Sequence, residues 1–135
     1  MAKTTGVKNI AEANRISQRT IDIILYFDPQ YWIIENPQTG KLKEQEFMTH
    51  LPFKYVDYCK YGMPYRKRTR LWNNVERWDP RPLCQKDCDS MSDNRRRHKE
   101  TAQRRPPDGR EGRRFRREEL YKVPEDLISE IRTSI

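Results

Sequence analysis

The sequence predicts a small, incomplete α/β domain. Residues 9–26 carry apolar side chains at helical spacing, a proline break follows, and Tyr31-Trp32-Ile33-Ile34 then has the aromatic and β-branched composition of a buried strand. Helix, break and strand in that order predict an α/β unit whose sheet has parallel neighbours. With 135 residues, 34% of them hydrophobic, the chain has room for one domain and too little apolar mass to bury its whole length.

The helix rests on Ile10, Ala13, Ile16 or Ser17, Thr20 or Ile21, and Ile24, with Glu12, Arg15, Arg19 and Asp22 on the polar face. Phe27-Asp28-Pro29 ends it, because the residue before a proline is pushed out of helical geometry. The strand stops at Glu35-Asn36-Pro37, which delivers a carboxylate and a carboxamide at its C-terminal end, where open α/β sheets bind ligands. Pro37 offers no further ladder donor, and Gln38-Thr39-Gly40 permits a sharp turn. Lys43 to His50 reads as a short helix closed by Leu51-Pro52, and His50 as a helix-end residue. Phe53-Lys54-Tyr55-Val56-Asp57-Tyr58 alternates as a second strand and Arg70-Leu71-Trp72 as a third. Between them, Cys59 to Tyr65 is a loop by its Gly62 and Pro64. Residues 73–82 form a loop with Trp78 as its anchor. Leu120, Val123, Leu127, Ile128 and Ile131 restore a helical stripe, with Pro124 at the first turn. Three segments are therefore expected: 1–83, the α/β domain; 84–117, Cys/His-containing and Arg-rich; and 118–135, a terminal helix.

Charge is concentrated. The chain carries a formal net charge of +8, and residues 94–117, with ten Arg and one Lys against Glu100, Asp108 and Glu111, hold all of it. Such a segment reads either as a solvated, disordered tail or as a contact for nucleic-acid backbone, and its salt-sensitive cations favour the second. No apolar run reaches the roughly 18 residues needed to cross a bilayer, and Met-Ala-Lys-Thr-Thr-Gly lacks a signal-peptide core, so an intracellular chain, cytoplasmic or nuclear, is expected. Three cysteines, Cys59, Cys84 and Cys88, are an odd number for a disulfide framework. They read as reduced thiols or, with His98, as four ligands for a structural zinc ion.

Taken alone, Glu35 reads as a turn-capping carboxylate or as a functional one. Arg68 and Arg70, at alternate strand positions, read as a solubilised edge or as donors to phosphate and base edges. The order Ile34-Glu35-Asn36-Pro37, then Tyr61-Gly62-Met63-Pro64, then Lys67-Arg68-Thr69-Arg70-Leu71-Trp72 resembles the later catalytic motifs of the DNA (cytosine-5) methyltransferases, closest to the phage- or virus-like branch with Glu-Asn-Pro. The resemblance spans residues 11–72. It implies a partial Rossmann-like methyltransferase sheet, made of a helix, a strand and a two-stranded element, followed by a basic, largely irregular region and a terminal helix.

By that resemblance Glu35 would hold a flipped cytosine through its ring N3 and exocyclic amine, Asn36 would organise the turn, and Arg68 and Arg70 would reach the pocket. Arg66, where the family has Gln, and Lys67 join Arg95, Arg96, Arg97, Arg104, Arg105, Arg113 and Arg114 as expected nucleic-acid contacts. The family's Pro-Cys nucleophile and Gly-rich loop for S-adenosylmethionine are missing: no cysteine precedes Cys59, and Gly6 stands alone before the first helix. Pro82-Leu83-Cys84-Gln85 has an inserted residue and follows the Arg block, so it does not replace that nucleophile. The expectation is a truncated or split, virus- or phage-derived methyltransferase that acts on DNA only with a complementing subunit. The competing reading is a non-enzymatic basic nucleic-acid-binding or structural protein.

Overall fold

A computed structural model of the chain describes residues 3–102 and 115–135, with side chains from residue 9 onward. Helix α1 (Lys3–Phe27) is followed by strand β1 (Ile33–Pro37), strands β2 (Phe53–Asp57) and β3 (Arg68–Asn73), a single turn α2 (Arg117–Leu120) and helix α3 (Glu125–Thr133).

Helix α1 ends where the proline requires it. Asp28 takes a left-handed φ of 44° and its N–H closes on the Ile24 carbonyl at 2.9 Å. The stripe Ile10, Ser17, Thr20, Ile21 and Ile24 is half-buried, but Ile16, Ile23 and Leu25 are exposed. The expected layer of helix on strand is thus only begun, and one side-chain bond, Asn14 Nδ2 to Gln45 Oε1 at 2.8 Å, ties α1 to the segment after β1.

The sheet order is β1-β3-β2, and both pairings are antiparallel, which corrects the expectation of parallel neighbours. Parallel pairing needs a crossover element, whereas the connections here contain only short 3-10 turns, which suffice for antiparallel strands. The expected helix at 43–50 is two such turns, Leu42–Glu44 and Glu46–Met48, separated by an extended Gln45. Their product is Met48, which is buried.

The core lies on one face of the sheet. Val56, Tyr58, Tyr61, Leu71, Val75 and Trp78 pack with Leu127 and Ile131 of α3, so the terminal helix does find a partner, and Pro124 caps it. Glu130 of α3 accepts hydrogen bonds from Tyr61 Oη (2.9 Å), Trp78 Nε1 (3.0 Å) and Arg81 Nε (3.0 Å), which fixes the helix against the loop after β3. Asn74 bonds the Trp32 N–H (2.8 Å) and the Gln30 carbonyl (2.9 Å), so β1 is held at its entry as well as along its ladder. No helix among the described residues is long and apolar enough to cross a membrane.

Candidate functional site

The C-terminal end of β1 and the N-terminal end of β3 meet at one edge of the sheet, and a cleft of about 950 Å³ opens there. Glu35 to Thr39 and Arg66 to Arg68 form one wall; Lys86, Arg96, Arg97 and His98 face them, with Glu100 to Ala102, Leu120 and Tyr121 completing the rim. Six basic side chains, those of Arg66, Lys67, Arg68, Lys86, Arg96 and Arg97, therefore surround the carboxylate of Glu35. Such a predominance of cations favours polyanions, while Glu35 and Glu100 place carboxylates in the same lining.

Side chains of directly opposed strand residues share a face. Glu35 lies opposite Leu71 and therefore points to the same side as Tyr58 and Lys67. Tyr58 Oη donates to Glu35 Oε1 at 3.1 Å, and Lys67 Nζ stands 3.6 Å from the same oxygen and over the Tyr58 ring. Burial, followed by the charge of Glu35, raises the Tyr58 pKa, so the phenol stays a donor. Lys67 Nζ is also bonded to the Leu120 carbonyl at 2.8 Å, which pins it.

Asn36 points to the opposite face, with Arg70 across from it. Its carboxamide packs on Gly40, where an added Cβ would meet Asn36 Oδ1 at 2.1 Å, and the Gly40 N–H closes the turn on the Pro37 carbonyl at 2.8 Å. The turn expected after Pro37 is thus present, and the absence of a side chain at Gly40 lets Asn36 sit on it.

The two motif arginines go to different places. Arg68 lines the cleft while holding Asp57 through Nε (3.0 Å) and Nη2 (2.8 Å). The Asp57 side chain is 0% exposed and also accepts the Cys84 N–H at 2.9 Å. Arg70 stands outside the cleft, over Phe53 at 3.8 Å and Tyr55 at 4.9 Å, with Nε donating to Tyr55 Oη at 3.0 Å. Arg95 lies on the exposed turn beside Arg96; Arg104, Arg105, Arg113 and Arg114 lie outside the described residues.

Behind the facing wall, Cys59, Cys84, Cys88 and His98 bring one ligand atom each to within 4.8 Å of one another, and Cys84 Sγ lies 3.4 Å from His98 Nε2. All three thiols are buried and free of disulfides. Burial pushes the Cys59 thiol up. At Cys84 burial works in the same direction, but the N–H groups of Lys86 and Asp87 and the neighbouring thiols outweigh it and draw its pKa down. Burial and then the charge of Arg66 lower the His98 pKa, which keeps its imidazole neutral. The four-ligand set named from the sequence is therefore one spatial cluster, compatible with zinc.

Sequence reasoning missed Tyr58 and Asp57, which hold Glu35 and Arg68 in place, and Lys86 in the cleft wall. The alternation of β2 carried a signal for the first two, since Tyr58 and Asp57 fall on opposite faces. Only the strand register says which partner each face meets.

No family model and no solved structure matches the chain. A probable DNA (cytosine-5)-methyltransferase of Frog virus 3 (isolate Goorha) is 43% identical over 79 residues, which cover 57% of this chain and 36% of the relative. The chain thus spans about a third of the length of the relative it matches. The sequence motifs and this match agree: over 79 residues the chain is similar to a viral protein described as a probable DNA (cytosine-5)-methyltransferase.

Proposed function

We propose that the chain supplies the target-base half of a DNA cytosine-5 methyltransferase. In this reading Glu35 receives an extruded cytosine in the cleft, and the surrounding cations hold the DNA backbone. The observation that carries it is the placement of Glu35 inside the basic cleft, gripped by Tyr58 and Lys67. A nucleophile attacking the cytosine ring pushes electrons toward N3, and a carboxyl group that bonds N3 and the exocyclic amine stabilises that charge. Tyr58 and Lys67 orient the carboxylate. Asn36 sets the turn, and Arg68 reaches the base from the cleft wall. Arg70 acts by stiffening β3 against its aromatic neighbours, in keeping with its stacked position.

S-adenosylmethionine is the methyl donor by kinship. The Gly-rich cofactor loop and the Pro-Cys nucleophile are not in these 135 residues, so another segment or chain provides them. Extrusion of the base from the duplex is required for the chemistry, and the basic rim opposite Glu35 is suited to the displaced strand. Zinc on Cys59, Cys84, Cys88 and His98 belongs to the same reading as a structural ion, because a closed set of four protein ligands leaves no open coordination position.

The test is transfer of labelled methyl groups to DNA by the chain supplemented with the part of the viral relative outside the match. Activity that requires both pieces and falls at least about 100-fold in Glu35→Gln is expected, the range for loss of a positioned acid–base group. Equal activity of the two forms removes Glu35 from the mechanism.

A further inference from the structure

We propose that the cysteine–histidine cluster is a zinc-dependent clamp that builds the second wall of the DNA cleft; this rests on the zinc and DNA readings above. Among the described residues, the apolar cluster beneath residues 84–98 consists of Cys59, Cys84, Cys88 and Met91, separate from the sheet core. Three thiols and one methionine bury too little apolar surface to hold a loop of this length in one conformation. A tetrahedral zinc ion with Zn–S bonds of about 2.3 Å places its sulfurs roughly 3.8 Å apart, so four ligand atoms within 4.8 Å need only a small contraction to close on it.

The ligands are attached next to residues of the cleft. Cys59 follows directly on Tyr58, whose hydroxyl holds Glu35. Cys84 is tied through its N–H to Asp57, which grips Arg68. His98 directly follows the bend carrying Arg96 and Arg97 and forms an isolated bridge to Met91, and the Arg97 carbonyl accepts the Ser92 N–H at 2.8 Å. A metal joining these ligands therefore fixes Arg96 and Arg97 at a set distance from Glu35 and Arg68 across the cleft. Lys86, at the turn between Cys84 and Cys88, takes a left-handed φ of 62° and is carried into the same wall. The pattern assigns the ion to DNA binding: its three thiol ligands are buried, His98 is half-buried at the cleft, and the residues next to them are cations lining that cleft.

The full chain, purified without chelator, is measured for metal content and for binding to a fluorescent duplex as a function of salt, as isolated, after chelation and after zinc is restored. One zinc per chain is expected, with a tetrahedral thiolate spectrum on cobalt(II) exchange. Stripping should weaken duplex binding about tenfold and lower the salt slope by about 2, the share of two phosphate contacts. Zinc should restore both. Core fluorescence from Trp72 and Trp78 reports that the sheet persists, and Cys88→Ser should match the stripped protein.

No metal, or a single titratable thiol showing that two cysteines have paired, overturns the zinc reading. Metal present but the same duplex affinity with and without it overturns the clamp. The double variant Arg96→Ala with Arg97→Ala separates the underlying reading: it should lower affinity and slope with zinc still bound, and unchanged binding overturns this wall as a DNA contact.

Discussion

Two regions of this small molecule reach order by different means. The sheet and α3 bury Val56, Leu71, Trp78, Leu127 and Ile131 against one another, as any α/β core does. Among the described residues, the loop carrying residues 84–98 packs only on Met91 and three thiols, and its backbone is held by polar turns and by Asp57. The first kind of order is nearly insensitive to solution chemistry. The second can be made or unmade by a metal or an oxidant, and it is this second region that faces Glu35 across the cleft.

Asp57 joins the two regions, so breaking it has the largest expected effect. Arg68→Ala leaves a fully buried carboxylate without its ion-pair partner and should cost about 3–5 kcal/mol, read from denaturant unfolding. A loss well below 1 kcal/mol would show that Asp57 is not the joint. Leu127→Ala should cost about 2–5 kcal/mol through the cavity left beneath α3, and should do so equally with and without metal, because that region does not depend on the cluster. Unfolding curves at two chelator concentrations check both statements. Glu130→Ala removes the shared acceptor of Tyr61, Trp78 and Arg81 and should cost about 1–3 kcal/mol, again independently of metal. Gly40→Ala is the smallest: the fold should lose no more than about 1 kcal/mol, since the clashing atom is the tip of the Asn36 side chain, yet displacing that carboxamide should weaken duplex binding measurably. Unchanged binding in Gly40→Ala would detach Asn36 from the site.

The contrast also explains what the sequence could and could not reveal. The strands at 53–58 and 70–72, the helix at 9–26 and the terminal stripe through Leu127 and Ile131 were legible because each obeys a local period. Strand direction was not, because helix-then-strand order suits a parallel sheet and nothing in Ile33-Ile34 states that β3 will run antiparallel beside it. The burial of α1 was not legible for a related reason: periodicity names a face and is silent on what covers it, and Ile16, Ile23 and Leu25 stay exposed. At the site, Glu35, Asn36 and Arg68 were visible from motif order. Their separation from Arg70 was not, since alternate positions on one strand suggest shared surroundings, yet Arg68 sits at the strand end in the cleft and Arg70 two pairs deeper among Phe53 and Tyr55. The cysteine–histidine cluster was legible because cysteine and histidine are few, so four of them could be named without knowing the fold.

Recognition of cytosine by Glu35 can be measured on this chain by itself. Binding is compared for two otherwise identical duplexes, one with a single unpaired cytosine and one with a single unpaired thymine. Cytosine presents an N3 acceptor and an amine donor where thymine presents an N3–H and a carbonyl, so a carboxyl group that donates to N3 and accepts from the amine should favour cytosine by about tenfold or more, within the roughly 1–3 kcal/mol of a good base-edge contact. Glu35→Gln should erase the preference while leaving salt-dependent binding in place. Equal affinity of the unaltered chain for the two duplexes would contradict the assignment of Glu35 to the base.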